Sequence, residues 1–183
     1  DYAIGTETNG SISCPASANG IVGFKPSVGL VSRTHIVPIS VTQDTAGPMT
    51  RTVRQAAELM NAIVGSDPAD PSTADADKRK TDYVAALDAG SLKGKRLGVM
   101  RFASGFGTDT AFETALAVLR DRGAILVDIK QFDRSAIGRN QLMVLLTELK
   151  VDLAKYLQSS PAPIRVRTLA DVIAFNQANL KPE

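Results

Sequence analysis

The stretch that decides the fold lies near the start of the chain and reads Gly5-Thr-Glu-Thr-Asn-Gly10-Ser11-Ile-Ser-Cys-Pro15-Ala-Ser-Ala-Asn-Gly20. Pro15 fits the first turn of a helix, where its missing N–H costs nothing, and Asn19 with Gly20 can end that helix. The pattern therefore predicts a short helix with Ser11 just before it, on a turn of small residues with free N–H groups. Such N–H groups suit an oxyanion, and a hydroxyl beside them suits attack on a carbonyl once a base removes its proton.

The residues alone leave this chemistry open. A Gly- and Ser-rich connection with unreactive hydroxyls is the more frequent explanation of such spacing. A phosphate-binding loop is disfavoured, because the glycines are not followed by Lys and Ser or Thr. Two other candidates for chemistry are Cys14 with His35 as its base, and Lys25 as a desolvated base. We interpret Cys14 as a small buried apolar residue and Lys25 as a surface lysine.

Composition excludes several function classes. The 183 residues include 21 basic and 19 acidic side chains, one His and one Cys, and 44% are apolar. This near-balance of charge gives no electrostatic reason to expect nucleic acid or anionic lipid as a direct partner. No apolar run is long enough to span a membrane, and a single Cys excludes an internal disulfide. One His with one Cys argues against zinc, and the acidic run 67–77 lacks the spacing of calcium ligands. We therefore expect no metal and no cofactor.

Charge is distributed unevenly along the chain. Residues 1–50 carry only five charged side chains, which is typical of buried backbone and small polar groups. Residues 66–81 are polar, interrupted by Pro and without helical or strand period, so they are predicted to be an exposed linker. The chain is thus divided into a segment 1–65 with the Ser11 turn, the linker 66–81, and a region 82–183.

Local patterns predict the main elements of a mixed α/β domain. Two segments fit a capping box, each at the start of a helix that a glycine ends in the left-handed conformation. The second helix lies between two short strands, the later one buried, which predicts a βαβ unit with parallel strands. Two further helices follow. In chain order these elements are the capping box Thr52–Gln55 with Gly65, a strand at 96–100, the capping box Thr110–Glu113 with Gly123, a strand at 124–129, a long helix at 141–158, and a helix capped by Thr168 that runs to about Asn179.

Four linked blocks carry a resemblance to a known family. They follow one another over about the first 65 residues and read Gly5-Thr-Glu-Thr-Asn-Gly-Ser-Ile-Ser-Cys-Pro-Ala-Ser17, Gly20-Ile-Val-Gly-Phe-Lys-Pro-Ser27, Gly29-Leu-Val-Ser-Arg33 and Gln43-Asp-Thr-Ala-Gly-Pro-Met-Thr-Arg51. Their order and spacing resemble the amidase signature family, and Thr168–Asn176 is similar to its middle region. The resemblance implies an α/β fold with a mixed sheet covered by helices, of which this chain holds only part. Residues 1–65 and 82–183 would then form one domain in the whole protein.

The resemblance also implies a reaction. Members of this family hydrolyse amide bonds through a Ser–cis-Ser–Lys triad and an acyl-enzyme, as a variant of the Ser-His-Asp arrangement. By resemblance Ser11 is the nucleophile, and the backbone N–H groups of Thr8, Asn9 and Gly10 form the oxyanion hole. A desolvated Lys acts as the base, because burial lowers its pKa towards neutrality. The implied substrate is a small-molecule amide or a peptide amide.

The chain departs from the family pattern at several positions. Asn9-Gly10 replaces the frequent Gly-Gly, Glu7 stands at the usual Asp, and Ser13 stands at the usual Arg, so the ion pair common in the family cannot form. This version resembles peptide amidases and bacterial free amidases more than the A subunit of glutamyl-tRNA amidotransferases. Ten residues precede Ser11 and none is Lys or Ser. We therefore expect a fragment of an amidase that lacks the Lys and the cis-Ser and is inactive in isolation.

Two other functions remain open. The first is a non-catalytic scaffold that keeps the fold and binds a partner or an amide without turnover. The second is the A subunit of a glutamyl-tRNA(Gln) amidotransferase, in which a partner would carry the RNA contacts. We expect no direct contact with nucleic acid or a membrane, and a second copy of the chain is a further candidate partner. The lone Cys fits the cytoplasm or the periplasm, and we favour the cytoplasm.

Overall fold

The computed structural model describes residues 1–88, 90–103, 105 and 107–180, which fall into two compact units. The first unit contains Asp1–Val84 and the chain from Arg139 onward, and the second contains Ala85–Gly138. This division differs from the three segments predicted above, because the chain beyond Arg139 packs with the first 84 residues. The domain organisation of the whole protein stays a prediction.

A three-stranded antiparallel sheet lies in the first unit. Its strands are β1 (Tyr2–Glu7), β2 (Val22–Gly23) and β3 (Thr45–Thr50), with β3 in the middle. β1 pairs with β3 along its whole length, from Tyr2 opposite Thr50 to Glu7 opposite Thr45. In an antiparallel pair the end of one strand lies beside the start of the other. The residues that follow β1 are therefore held next to the residues that precede β3.

The first unit also contains helices, and two of them are the helices predicted from the caps at Thr52 and Thr168. A small apolar core is formed where the second helix, which contributes Met60, meets Val31, Ala46 and Val64. The prediction that residues 1–50 are mostly buried holds for β3 but not for β1, where Tyr2 and Ile4 are more than half exposed. The helices are α1 (Ser13–Ala18), α2 (Val53–Ile63), α3 (Ala76–Arg79), α5 (Ser135–Ser159, which begins in the second unit) and α6 (Leu169–Ala178).

Two of the predicted helix caps are confirmed. The backbone N–H of Gln55 donates to Thr52 Oγ1, and the N–H of Thr52 donates to Gln55 Oε1, both over 3.2 Å. Thr168 forms the same reciprocal arrangement with Asp171 at the start of α6. The hydroxyl and the second polar side chain satisfy N–H groups that the helix itself leaves without partners.

The predicted end of α2 at Gly65 is wrong. The helix ends at Ile63, and Val64 is extended and forms a β-bridge with Val31. Gly65 does not have a positive φ, and its N–H donates to the carbonyl of Leu30 over 3.2 Å. A long-range backbone pairing, rather than a left-handed glycine, terminates this helix.

The predicted exposed linker at 66–81 is wrong at three buried positions. Asp70 is 6% exposed, Thr73 and Ala76 are fully buried, and the segment forms a 3₁₀ turn at Pro71–Thr73 followed by α3. The Asp70 carboxylate pairs with the guanidinium of Arg33 at 2.7 Å, and this pair holds the pKa of Asp70 far below its usual range. The polar composition is thus explained by partners distant in sequence and not by solvent.

The second unit contains the predicted βαβ arrangement. Strands β4 (Arg96–Val99) and β5 (Ile125–Asp128) pair in parallel and are connected through a 3₁₀ turn at Arg101–Ala103 and helix α4 (Asp109–Asp121). Gly123 follows α4 with a φ of +88°, as expected for a glycine that ends a helix.

Two predictions for the second unit are wrong. The strand at 124–129 was expected to be buried, but Ile125 is 51% exposed. The capping box at Thr110 is absent, because α4 begins at Asp109 with Thr108 as its N-cap and no side-chain cap. Thr110 therefore lies inside the helix, where its carbonyl accepts from the hydroxyl of Thr114 over 2.8 Å.

The long helix predicted at 141–158 is confirmed as α5, which is longer at both ends. Leu142 on this helix is 55% exposed. In the ranges that the structure describes, no helix meets the length and hydropathy needed to cross a bilayer.

Candidate active site

Ser11 lies on the turn between β1 and α1, as the sequence predicts. Its side chain is exposed, and α1 begins two residues later with the fully buried Ile12 as N-cap. Within the described part of the chain, the backbone N–H groups of Thr8, Asn9, Gly10 and Ser11 have no hydrogen-bond acceptor. The exposed Ser11 is thus adjacent in the chain to several unpaired donors.

Glu7 holds this turn against the start of α1. Its Oε2 accepts hydrogen bonds from the N–H of Ile12 at 3.0 Å, the N–H of Ser13 at 2.8 Å and the hydroxyl of Ser13 at 3.0 Å. Burial acts to raise the pKa of Glu7, but these hydrogen bonds and the charge of Lys25 outweigh it and lower the pKa below its usual value. The charged carboxylate therefore finds its partners at the start of α1, where the family resemblance leads us to expect an Arg.

Asp44 binds the opposite end of the Ser11 turn, at Thr8. Thr8 Oγ1 donates to Asp44 Oδ1 over 2.5 Å, while Asp44 Oδ2 accepts from the N–H groups of Ile39 and Ser40, both at 2.8 Å. Asp44 is 6% exposed and directly precedes β3. We call residues 36–44 the site loop, because Asp44 connects them to the Ser11 turn. Asp44 belongs to the fourth of the sequence blocks quoted above, but no role for it is predicted from the sequence.

A small pocket of about 30 Å³ opens beside Ser11. It is formed by the end of β1, the Ser11 turn and the site loop, and the described residues of its walls include no Lys and no His. Glu7 and Asp44 are the charged residues of the lining, and both carboxylates are already occupied by hydrogen bonds. The lining residues are Thr6, Glu7, Thr8, Ser11, Ile36, Val37, Ile39 and Asp44.

The alternative candidates for chemistry lie outside this pocket. Cys14 is exposed, so the expectation of a buried cysteine is wrong, and His35 is also exposed. Neither of them lines the Ser11 pocket. Lys25 is exposed, as the sequence analysis expected. In the ranges described, His, Cys, Asp and Glu side chains form no group of three that could hold a metal ion.

Comparison with known proteins defines the class to which this fold and site belong. The family model described as Amidase matches residues 1–182, and the chain therefore belongs to the amidase family. This confirms the resemblance carried by the four sequence blocks, and the α/β fold expected from it.

Individual relatives agree with this assignment. A probable amidase of Arabidopsis thaliana is 42% identical over 185 residues, which cover 96% of this chain and 34% of the relative. The X-ray structure of native peptide amidase from Stenotrophomonas maltophilia matches with a TM-score of 0.88 and 48% identity, over 97% of this chain and 37% of that one. The A subunit of the glutamyl-tRNA(Gln) amidotransferase of Chloroflexus aurantiacus is 45% identical over 130 residues, 69% of this chain and 26% of that relative. The chain spans about a third of the length of the first two relatives.

Proposed function

We propose that this chain is the nucleophile-bearing part of an amide hydrolase, with Ser11 as nucleophile. The supporting observation is the set of unpaired N–H groups at Thr8, Asn9 and Gly10 beside the exposed Ser11. Donors fixed in place before the reaction stabilise the negative charge that develops on a carbonyl oxygen, and one such donor contributes about 3–4 kcal/mol. Membership of the amidase family supports the amide as the substrate bond.

The reaction proceeds through an acyl-enzyme. Ser11 Oγ attacks the amide carbonyl carbon while its proton passes through a cis-Ser to a neutral Lys, and the carbonyl oxygen becomes an oxyanion facing the three N–H groups. The C–N bond then breaks, the amine or ammonia leaves with that proton, and water hydrolyses the ester on Ser11.

The base comes from a part of the protein outside this chain. Among the residues that the structure describes, the lining of the Ser11 pocket contains no Lys, and the pKa of Glu7 is lowered, which makes its carboxylate a poor proton acceptor. A serine hydroxyl without a base is a weak nucleophile near pH 7, so we propose that residues 1–183 alone are inactive.

Labelling with a fluorophosphonate probe tests the nucleophile. In the full-length protein that contains this chain, the probe should modify Ser11, and Ser11→Ala should abolish both labelling and hydrolysis of a peptide amide. Ser17→Ala is the matched control, because Ser17 is exposed on α1 and lies outside the pocket lining. Labelling at another residue, or full activity in the Ser11→Ala variant, would contradict the proposal.

A second candidate function is supported by the 45% identity to the A subunit of a glutamyl-tRNA(Gln) amidotransferase. In that case the protein would pass ammonia to an acyl-tRNA bound by a partner instead of releasing it. The two functions differ in one measurement. Release of free ammonia from a peptide amide by the purified protein alone favours the hydrolase, whereas activity that needs a co-purifying partner and tRNA favours the transferase.

A further inference from the structure

Hydrogen bonds hold the site loop on two sides. On one of these sides the partner is a residue of α5, which is far from Ser11 in the sequence. On the inner side, Val37, Ile39 and Asp44 line the Ser11 pocket, and Asp44 accepts from the hydroxyl of Thr8. The loop contains no helix or strand of its own. Its conformation therefore depends on the side chains that bind it from neighbouring elements.

On the outer side, Glu148 of helix α5 binds the site loop. Its Oε2 accepts from the hydroxyl of Ser40 at 2.5 Å and from the N–H of Thr42 at 3.2 Å, and both of its oxygens accept from the hydroxyl of Thr42 at 3.0 Å. Burial acts to raise the pKa of Glu148, but these hydrogen bonds and the charge of Arg33 lower it below its usual value. Glu148 is therefore ionised and acts only as an acceptor.

Ser40 connects the two sides of the loop. This residue is fully buried, its hydroxyl donates to Glu148, and its backbone N–H donates to Asp44 over 2.8 Å. Asp44 in turn accepts from the hydroxyl of Thr8, at the start of the Ser11 turn. An unbroken series of hydrogen bonds thus runs from α5 to the side chain of Thr8.

We propose that Glu148 is a positioning residue for the reaction at Ser11. Through Ser40 and Asp44 it sets the position of the Ser11 turn and of the pocket wall formed by Val37 and Ile39, without touching the substrate. The inference rests on the proposed function.

Two further hydrogen bonds connect the same face of α5 to the rest of the first unit. Gln141 Nε2 donates to Gln43 Oε1 at 3.0 Å, and the Tyr156 hydroxyl donates to the carbonyl of His35 at 3.3 Å.

The donors around Glu148 favour a carboxylate at this position. Two hydroxyls and one N–H group donate to its oxygens. A glutamine of the same size loses the negative charge and keeps one acceptor oxygen, and its NH₂ group can only donate, so the Thr42 hydroxyl would have to turn from donor to acceptor. Because hydrogen bonds to a charged group are about twice as strong as neutral ones, Glu148→Gln should loosen the site loop while α5 keeps its helical structure.

The experiment compares Glu148→Gln and Ser40→Ala with a control in the full-length protein. Lys150→Gln is the control, because it also removes one charge from α5, and Lys150 is exposed and has no partner in the part of the chain that the structure describes. Active sites are counted with the fluorophosphonate probe, and kcat and KM for a peptide amide are expressed per labelled Ser11. The melting temperature is measured in parallel.

We expect kcat per labelled site to fall about tenfold or more in Glu148→Gln with a smaller change in KM, because misplaced oxyanion donors cost more in the transition state than in the ground state. Lys150→Gln should match the wild type. The double variant Glu148→Gln/Ser40→Ala should be no slower than the slower single variant, since both changes break the same series of hydrogen bonds.

Four outcomes would overturn the inference. An unchanged kcat per labelled site with a lower melting temperature would show that Glu148 only stabilises the fold. Strictly additive losses in the double variant would show that Glu148 does not act through Ser40. A wild type that neither labels nor hydrolyses amides would overturn the proposed function and this inference together, whereas an active wild type with unaffected variants would overturn this inference alone.

Discussion

Glu7 illustrates at the scale of one residue how a change of partner preserves a turn. Its carboxylate is only 6% exposed, yet it stays charged because two N–H groups and one hydroxyl at the start of α1 donate to it. The amino-acid sequence alone indicates that Ser13 cannot form the ion pair expected from the resemblance. It does not reveal that Ser13 itself becomes the partner of Glu7, because that contact depends on the angle at which α1 leaves the turn.

Glu7→Gln should destabilise the folded protein at neutral pH. The folded-state pKa of Glu7 is lowered, so the carboxylate contributes stability above its unfolded pKa of about 4.3, and this contribution is lost as the pH falls through the lower folded value. We expect the variant to lose about 2 kcal/mol of unfolding free energy at pH 7. Below about pH 4 the difference from the wild type should shrink.

Urea unfolding of both proteins at several pH values between 7 and 3 measures this difference. Ser13→Ala serves as the comparison, because it removes the hydroxyl donor to Glu7 and leaves both N–H donors in place. It should cost about 1 kcal/mol. A difference between Glu7→Gln and the wild type that stays constant down to pH 3 would show that the charge of Glu7 is not involved.

At the scale of helices and strands, the sequence predicts those features that depend on residues close to one another in the chain. The caps at Thr52 and Thr168, the βαβ order and the left-handed Gly123 all depend on residues a few positions apart, and each is confirmed. The end of α2 and the burial of Asp70 were missed, because the first depends on Val31 and the second on Arg33. Such partners lie more than thirty residues away.

The two predicted capping boxes provide a matched pair of variants. Thr52→Ala should cost about 1 kcal/mol of unfolding free energy, because it removes a cap that the structure contains. Thr110→Ala should change the stability by less than about 0.5 kcal/mol, because Thr110 is an exposed residue inside α4 and caps nothing. Denaturant unfolding of the two variants decides this, and equal losses would show that the start of α4 is misplaced.

The same limit applies to the candidate site. The position of Ser11 before a short helix follows from Pro15 and the residues around it, so the sequence alone predicts it. Asp44 binds Thr8, which lies 36 residues away in the sequence. Glu148 binds Ser40, which lies 108 residues away. No local spacing reports such contacts, and the packing of β3 and α5 is needed to find them.

At the scale of the whole molecule, the described residues expose many large apolar side chains. In the first unit these include Ile4 at 56%, Val37 at 57% and Met143 at 62% exposure. Soluble monomers rarely leave extended apolar patches open, and such surface is normally covered by another part of the protein. The chain's span of about a third of its relatives agrees with this.

Residues 1–183 expressed alone should therefore self-associate or remain partly unfolded. We expect strong binding of the dye ANS and elution as large species in size-exclusion chromatography, because exposed apolar surface drives association. Ile4→Thr should reduce dye binding more than Ala62→Ser, which changes a small exposed residue. A monomer with a single cooperative melting transition and no dye binding would contradict this expectation.

The continuous pairing of β1 with β3 also restricts how the length of this chain can vary. Adding or removing one residue within Tyr2–Glu7 would shift every later pair by one position and turn every side chain of β1 beyond the change to the opposite face of the sheet. Thr8 would then no longer meet Asp44. Insertions and deletions between homologous proteins should therefore be absent from these two strands and accumulate instead in connections such as residues 129–134.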